Sequence, residues 1–348
     1  MFDLSDLAEP VIQAPMGGGP STVELTSAVC RAGGLGFLAA GYRERDAVRE
    51  QIVAVRSQTD APFGVNLFLA TRPASDDVSV GHYLRELEPE AARQGVELGE
   101  LRYSDDGWQA KLDLVVEERP AVVSFTFGCP TPESVGRLHR AGVAAWVTVT
   151  NPDEAERARA VGADALVVQG TEAGGHRGGF SDDQDAGGWG LIALLRVVAH
   201  TTGLPLVASG GICDGSAVAA VLCAGASAAQ IGTALMLSPE AGTDPAQRAV
   251  LARRAPTRLT RAFSGRQARG IVNRFLAEHS ATAPPAYPEI HYATSPLRAA
   301  ARRRGDAEAF NLWAGQAHEL AQQRPAGEIV ATMAAEARRV LRRLADGL

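Results

Sequence analysis

The chain has 348 residues, of which 46% are hydrophobic and 21% are charged, a balance typical of a globular enzyme and not of a disordered or fibrous protein. Its formal net charge of −6 argues against nucleic acid as the main partner. Lys111 is the only lysine in the sequence, which excludes the G-K-[ST] phosphate loop of nucleotide-hydrolysing proteins.

The amino terminus, the apolar runs and the cysteines together predict a cytoplasmic protein. The first ten residues, MFDLSDLAEP, are acidic and lack the basic and apolar regions of a secretory signal. No apolar run approaches the roughly 18–20 residues that a membrane helix needs. The four cysteines form no C-x-x-C pair and have no histidines at metal-binding spacing, so we expect reduced thiols, no metal site and no membrane association.

Eight short apolar runs, most of them ending near glycine, predict buried parallel strands. They begin at Val11, Leu35, Phe63, Val122, Ala145, Ala165, Pro205 and Ala228. Stretches with helical character lie between them, at residues 21–32, 45–56, 132–141, 153–161, 191–200 and 215–223. Eight strand and helix units with short connections predict a TIM (β/α)8 barrel, and a doubly wound open sheet is the alternative.

The remaining segments divide the chain into a barrel and added helical parts. We assign residues 1–240 to the barrel domain, with residues 70–120 as a charged helical excursion. The alternation of apolar runs and helical stretches ends after residue 240, so residues 241–324 are expected to form a helical lid or substrate region. Residues 325–348 are predicted to form a helix that packs on the barrel and turns a basic face to solvent.

Glycine-rich loops after the seventh and eighth predicted strands point to phosphate binding. TIM barrels carry their sites at the carboxyl ends of the strands, often with a phosphate between the last two loops. Gly211 lies in SGGICDG, and Gly232 and Thr233 lie in IGTALM. Backbone N–H groups at such turns can converge on an anion, although each glycine taken alone is equally explained by a tight turn.

The loop after the sixth predicted strand contains the densest group of polar residues. Gln169 ends the strand, and its amide can donate and accept at the edge of a polar heterocycle, as can the amide of Asn66 after the third strand. His176 lies among glycines in this loop, where an imidazole could act as a general base. Solvent exposure is the ordinary state of a single loop histidine, but the position at a strand end favours a function. His291 in the lid is a weaker candidate.

These motifs resemble those of the nitronate monooxygenases, formerly called 2-nitropropane dioxygenases. The similar stretches cover almost the whole chain and include QAPMGGG from Gln13, VVQGTEAGGHRGGF from Val167 and PLVASGGICDG from Pro205. The resemblance implies a TIM barrel that holds FMN non-covalently, with His176 as the catalytic base. The implied FMN contacts are Met16, Asn66, Gln169, Gly174, Gly211, Gln230, Ile231, Gly232 and Thr233.

The resemblance also implies a reaction. The family oxidises small alkyl nitronates, such as propionate 3-nitronate, with O2 to a carbonyl compound and nitrite. Arg177 or an arginine of the lid is expected to supply positive potential for the anion, and the sequence leaves a homodimer open. Related flavin barrels share these loops, so the alternative is an NAD(P)H-dependent reductase of quinones or enoyl thioesters. A flavin-carrying protein without turnover is the non-enzymatic alternative.

Overall fold

A computed structural model describes residues 1–69, 77–182 and 188–347 of the chain. Eight parallel strands form its central sheet: β1 (Val11–Gln13), β2 (Gly36–Ala39), β3 (Phe63–Phe68), β4 (Val122–Thr126), β5 (Ala144–Val149), β6 (Ala165–Gln169), β8 (Leu206–Ser209) and β9 (Ala228–Ile231). Their order in the sheet is β1-β9-β8-β6-β5-β4-β3-β2. Each of the eight predicted apolar runs overlaps one of these strands, and β5 alone begins before its run, by one residue.

The two edges of this sheet meet, so that the strands close into a barrel. The N–H of Gln13 in β1 donates to the carbonyl of Leu35 at 2.9 Å, and the N–H of Leu35 donates to the carbonyl of Val11 at 3.2 Å. Closure removes the sheet edges, as it does in TIM barrels. The TIM-barrel prediction is therefore confirmed, and the open doubly wound sheet is excluded.

Alternation along the strands produces two apolar layers. Ile12, Phe37 and Trp146 belong to the cluster inside the barrel, whereas Val11 and Leu38 belong to the larger cluster between the strands and the helices. Because successive side chains of a strand point to opposite faces, a barrel strand that is covered on both faces must be apolar at nearly every position. This requirement explains the continuous apolar runs in the sequence.

Helices connect the parallel strands around the outside of the barrel. They are α1 (Val23–Arg31), α2 (Arg45–Gln58), α4 (Trp108–Glu118), α5 (Pro132–Arg140), α6 (Pro152–Ala160), α7 (Leu191–Thr202) and α8 (Gly215–Cys223). The six predicted helical stretches agree with these bounds to within two residues. Side chains fix several starts: Asn151 accepts from the N–H of Glu154 at α6, and Asp214 accepts from the N–H of Ala217 at α8.

The long segment between β3 and β4 contains two helices. α3 (Asp77–Gln94) precedes α4, which makes the crossover to β4. Of the predicted excursion over residues 70–120, residues 70–76 lie outside the described residues. Lys111 in α4 is 2% exposed and forms an ion pair of 2.7 Å with Asp106, which lies in the connection between the two helices.

The part of the chain after residue 240 is not purely helical, which corrects the expectation for the lid. β10 (Thr257–Thr260) pairs with β11 (Ala268–Ile271), and β11 pairs with β7 (Gly175–His176) to form a three-stranded antiparallel sheet. β11 reads ARGI, with a charge and a glycine in four residues, so it lacks the apolar pattern that predicts a strand. Its stability comes from partners far away in the sequence.

The described part of the chain after residue 240 also contains four α-helices: α9 (Pro245–Leu251), α10 (Arg274–His279), α11 (Glu289–Arg303) and α12 (Ala326–Asp346). α11 packs against α3, and α12 returns to the barrel, where it packs against α1 and α8. A Cβ at Gly215 in α8 would lie 2.3 Å from the Cβ of Glu336, so only glycine allows this close approach. No helix in the described part of the chain is long and apolar enough to span a membrane.

Candidate active site

A cavity of about 630 Å³ lies over the carboxyl ends of the barrel strands. Its volume is within the range of ordinary small-molecule sites. The barrel loops form its floor, while α11 and the segment of residues 311–315 form part of its cover. Nine of the ten residues that the sequence assigns to catalysis or cofactor binding line this cavity: Met16, Asn66, Gln169, Gly174, His176, Gly211, Gln230, Gly232 and Thr233.

Ile231 is the exception, and its side chain does not belong to the site. It is 1% exposed and lies in the apolar cluster between the barrel and its helices. Its neighbour Gln230 faces the cavity, and alternation along β9 therefore turns Ile231 outward. The contact of Ile231 with a cofactor that the resemblance implies stays a prediction, which the outward side chain does not support.

The loops after β8 and β9 bring free backbone donors to the cavity. Gly210 and Gly211 have φ angles of 123° and 70°, and a Cβ at Gly211 would lie 3.1 Å from the Cβ of Glu172. A short 3-10 helix begins at Thr233, directly after Gly232. Within the described part of the chain, the N–H groups of Gly211, Gly232 and Thr233 donate to no protein acceptor. These two loops therefore offer the converging donors that a phosphate needs.

The three predicted amides differ in their bonding. Gln230 is 5% exposed, and its amide forms no hydrogen bond with any described residue, so it is free to bind a ligand in the cavity. The amide nitrogen of Asn66 donates to the side chain and the carbonyl of Ser124. The amide of Gln169 donates to the carbonyl of His176 at 3.1 Å and accepts from the N–H of Gly178 at 2.9 Å. Gln169 thus shapes the histidine loop as well as lining the cavity.

His176 is held by its backbone and by its ring. Its backbone pairs with Ala268 in β11, and its Nε2 lies 2.8 Å from the Oγ of Ser264. The rings of Tyr287 and Trp313 lie 5.7 and 5.6 Å from the imidazole, measured between centroids. The imidazole therefore projects into the cavity from a fixed position with aromatic walls.

The surroundings of His176 keep its imidazole uncharged. Burial, with the positive charges of Arg266 and Arg298, lowers its pKa from 6.5 to about 3. Burial disfavours the charged form, and each neighbouring guanidinium disfavours a further positive charge. At neutral pH the ring is a neutral proton acceptor whose protonated form is unfavourable, and the same potential favours an anion beside it.

Several residues of the site were missed from the sequence. Ser264, Tyr287 and Trp313 contact His176 from segments that lie more than 85 residues away in the chain. Tyr42, three residues after β2, lines the cavity and stacks on His291 at 4.1 Å between ring centroids. Ser264 and Trp313 lie in SGRQARGIVNRF and LWAGQ, two stretches that take part in the family resemblance, but their contacts with His176 depend on how the chain folds over the barrel.

The structure shows which arginines line the cavity. Arg177 donates to the carbonyls of Gln169 and Gly170 and does not line the cavity. Arg298 and Arg302, both on α11, do line it. Positive potential at the site therefore comes from arginines of α11. Arg177 instead fastens the loop that carries His176.

Glu172 has a structural contact at the start of α7. Both of its carboxylate oxygens accept from the N–H of Leu191, at 3.0 and 3.1 Å, where α7 begins. A carboxylate at a helix start satisfies an unpaired donor and interacts favourably with the helix dipole. Glu172 thereby connects the histidine loop to α7.

One acidic cluster outside the cavity has the composition of a metal site. Among the described residues, Glu90, Glu278 and His279 place three possible ligand atoms within 4.8 Å of one another. Arg274 donates to Glu90 at 2.7 Å and to Glu278 at 2.6 Å. Because this guanidinium already supplies the positive charge, we assign no metal there.

The donor set of the cavity fits a phosphorylated heterocycle such as a flavin. Free N–H groups at Gly211, Gly232 and Thr233 suit a phosphate, and the unpartnered amide of Gln230 suits the polar edge of a ring. Apolar and aromatic walls complete the enclosure. The fold and the site thus define a TIM barrel whose cavity has donors that fit a phosphate-bearing cofactor beside a neutral histidine.

Comparison with known proteins identifies the family. The family model described as nitronate monooxygenase matches residues 1–336, and the chain belongs to this family. A nitronate monooxygenase of Pseudomonas aeruginosa is 41% identical over 96% of this chain and 98% of its own length. That of Paraburkholderia phytofirmans is 40% identical over 99% and 96%. A solved nitroalkane oxidase from Streptomyces ansochromogenes is 46% identical, with a TM-score of 0.95 over 98% of this chain and 99% of that chain. The family is flavin-dependent, so the protein is a flavin oxidoreductase.

Proposed function

We propose that the protein binds FMN and oxidises small alkyl nitronates, such as propionate 3-nitronate, with O2 to a carbonyl compound and nitrite. Family membership supports the reaction class. The observation that carries the choice of substrate is electrostatic: the cavity combines an uncharged His176 with the buried guanidinium of Arg298. Such a site stabilises a bound anion and disfavours a protonated base.

The residues that would hold FMN form two groups, one for its phosphate and one for its ring system. The N–H groups of Gly211, Gly232 and Thr233 would hold the phosphate of FMN, while Gln230 and Asn66 would contact the polar edge of its ring system. When bound, the flavin supplies the redox chemistry by taking electrons from the nitronate and passing them to O2. The chain itself supplies binding, orientation and potential.

His176 has a distinct role for each protonation state of the substrate. A preformed nitronate needs no proton removed, so His176 would only orient it by hydrogen bonding. A neutral nitroalkane must first lose its α-proton, and His176 would accept that proton. Because the pKa of His176 is lowered to about 3, this step is unfavourable until the nitronate anion forms beside it. We therefore expect nitronates to be better substrates than nitroalkanes.

Nitrite release tests the proposal directly. Flavin-loaded protein is given propionate 3-nitronate in air, and nitrite formation is compared with oxidation of NADH in the presence of a quinone or an enoyl thioester. We expect nitrite from the nitronate and no NADH-dependent turnover. NADH oxidation without nitrite would instead establish the reductase, and flavin binding with neither reaction would indicate a carrier protein.

His176→Asn separates the two roles of the histidine. Loss of a general base costs about 100-fold or more, so we expect a loss of that size with nitroalkanes and a much smaller one with nitronates. His82→Asn is the matched control, since the side chain of His82 is 64% exposed. Equal losses on both substrates would show that His176 binds or orients and does not remove a proton.

A further inference from the structure

Arg298 is a buried cation whose described hydrogen-bond partners are all neutral. It is 6% exposed and lines the cavity from α11. Its Nε donates to the hydroxyl of Thr294 at 3.0 Å, and its Nη1 donates to the Oδ1 of Asn311 at 3.3 Å. Its Nη2 donates to the carbonyl of His291 at 2.7 Å. These contacts fix the plane of the guanidinium but do not balance its charge.

Arg302 adds a second positive charge at the same place. Its Nη2 donates at 2.7 Å to the same Asn311 oxygen that Arg298 contacts, and it also lines the cavity. Among the described residues, no carboxylate forms an ion pair with either guanidinium, although Asp244 acts on Arg302 from a greater distance. Burial and the charge of Arg302 lower the pKa of Arg298 to about 10. An anion placed between them would offset the unfavourable burial of this charge.

The pair belongs to α11 and not to the loops that are expected to bind phosphate. His291, whose carbonyl binds Arg298, stacks on Tyr42, which follows β2. The free N–H groups of Gly211 and Thr233 follow β8 and β9 instead. Arg298 also acts electrostatically on His176, and both arginines line the same cavity as the histidine. The cavity therefore presents two guanidinium groups and a neutral imidazole to one ligand.

We propose that Arg298 and Arg302 form a carboxylate subsite, which selects nitronates that carry a carboxylate at the end remote from the oxidised carbon. The proposal rests on the proposed function and deepens it by naming the residues that set substrate class. A guanidinium presents planar N–H donors that match the two oxygens of a carboxylate. Asn311, which contacts both arginines, positions the two side chains.

Two substrates of matched length test the subsite. Propionate 3-nitronate and propyl 1-nitronate differ only in that a methyl group replaces the carboxylate. A hydrogen bond to a charged group is worth about 10- to 100-fold in affinity, so Arg298→Met should lower the ratio of their kcat/KM values by that factor. Arg302→Met should lower the ratio less, and Arg298→Lys, which keeps the charge, should retain part of it.

Arg303→Met is the matched control, because Arg303 lies on α11 beside Arg302 but is exposed. It should leave the ratio unchanged. Equal losses on both nitronates in the Arg298 and Arg302 variants would overturn the proposal, as would an unchanged ratio in all of them. A tenfold weaker FMN affinity in Arg298→Met would also overturn it, since the arginine would then serve the cofactor.

A binding measurement distinguishes failure of the subsite from failure of the proposed function. Succinate resembles propionate 3-nitronate, with a second carboxylate in place of the nitronate group, and its binding can be followed through the flavin absorbance without turnover. Wild-type protein should bind succinate at least tenfold more tightly than Arg298→Met does. If neither nitronate is oxidised but this difference holds, the reaction assignment fails and the subsite stands. If nitronates are oxidised and the difference is missing, the subsite fails alone.

Discussion

The neutral state of His176 predicts that acid destabilises the protein through this residue. In the unfolded chain an imidazole has a pKa of about 6.5, whereas in the folded protein the pKa of His176 is lowered to about 3. Between these values the unfolded chain binds a proton that the folded chain does not, so stability falls as the pH is lowered from 6.5 towards 3. At about 1.4 kcal/mol for each pH unit below 6.5, the loss between pH 7 and pH 5 is about 2 kcal/mol.

Urea unfolding of the flavin-free protein at pH 7 and pH 5 measures this loss. His176→Asn removes the titrating group, so its stability should fall by about 2 kcal/mol less than that of the wild type over this range. His291, whose pKa burial also lowers well below 6.5, contributes an acid sensitivity that both proteins retain. His82→Asn serves as the control for replacing an exposed histidine. An identical pH dependence in wild type and His176→Asn would refute the electrostatic description of the site.

Three further substitutions test the cofactor loops and their support. Gly211→Ala forces a side chain into a left-handed conformation at φ 70°, which costs about 1–2 kcal/mol. This substitution should weaken FMN binding about tenfold in a fluorescence titration. Gly203→Ala, at φ 66° on the exposed end of α7, should leave FMN binding unchanged. Gln230→Leu keeps the volume but removes a cavity amide, so FMN should bind about 5- to 10-fold more weakly with unchanged thermal stability. Lys111→Met removes the cationic partner of Asp106, whose largely buried carboxylate keeps the N–H of Tyr42 as a donor, and should cost about 3 kcal/mol of unfolding free energy, with a lowered melting temperature as the readout.

The sequence determined the barrel because its strands carry a local signature. Each strand is covered on both faces, so each appears as a continuous apolar run, and the helix starts at Asn151 and Asp214 are marked by capping residues. The alternation of apolar runs and helical stretches also located the strand ends. Nine of the ten assigned site residues, which lie at these strand ends, line the cavity. The side chain of Ile231 faces away from the cavity, and a strand end that is identified only as a segment does not reveal which of its side chains face inward.

Only the tertiary structure decided what surrounds these residues. Ser264 meets His176 across 88 positions of sequence, and Arg298 reaches the cavity from a helix that the apolar pattern assigns only to a lid. Strand β11 exists through pairing with segments distant in the chain, not through its own composition. Local patterns report burial and turn geometry, since these act on neighbouring residues. Electrostatic potential depends on distances through space. The protonation state of His176 and the position of Arg298 are therefore determined only when the chain after residue 240 has packed over the barrel.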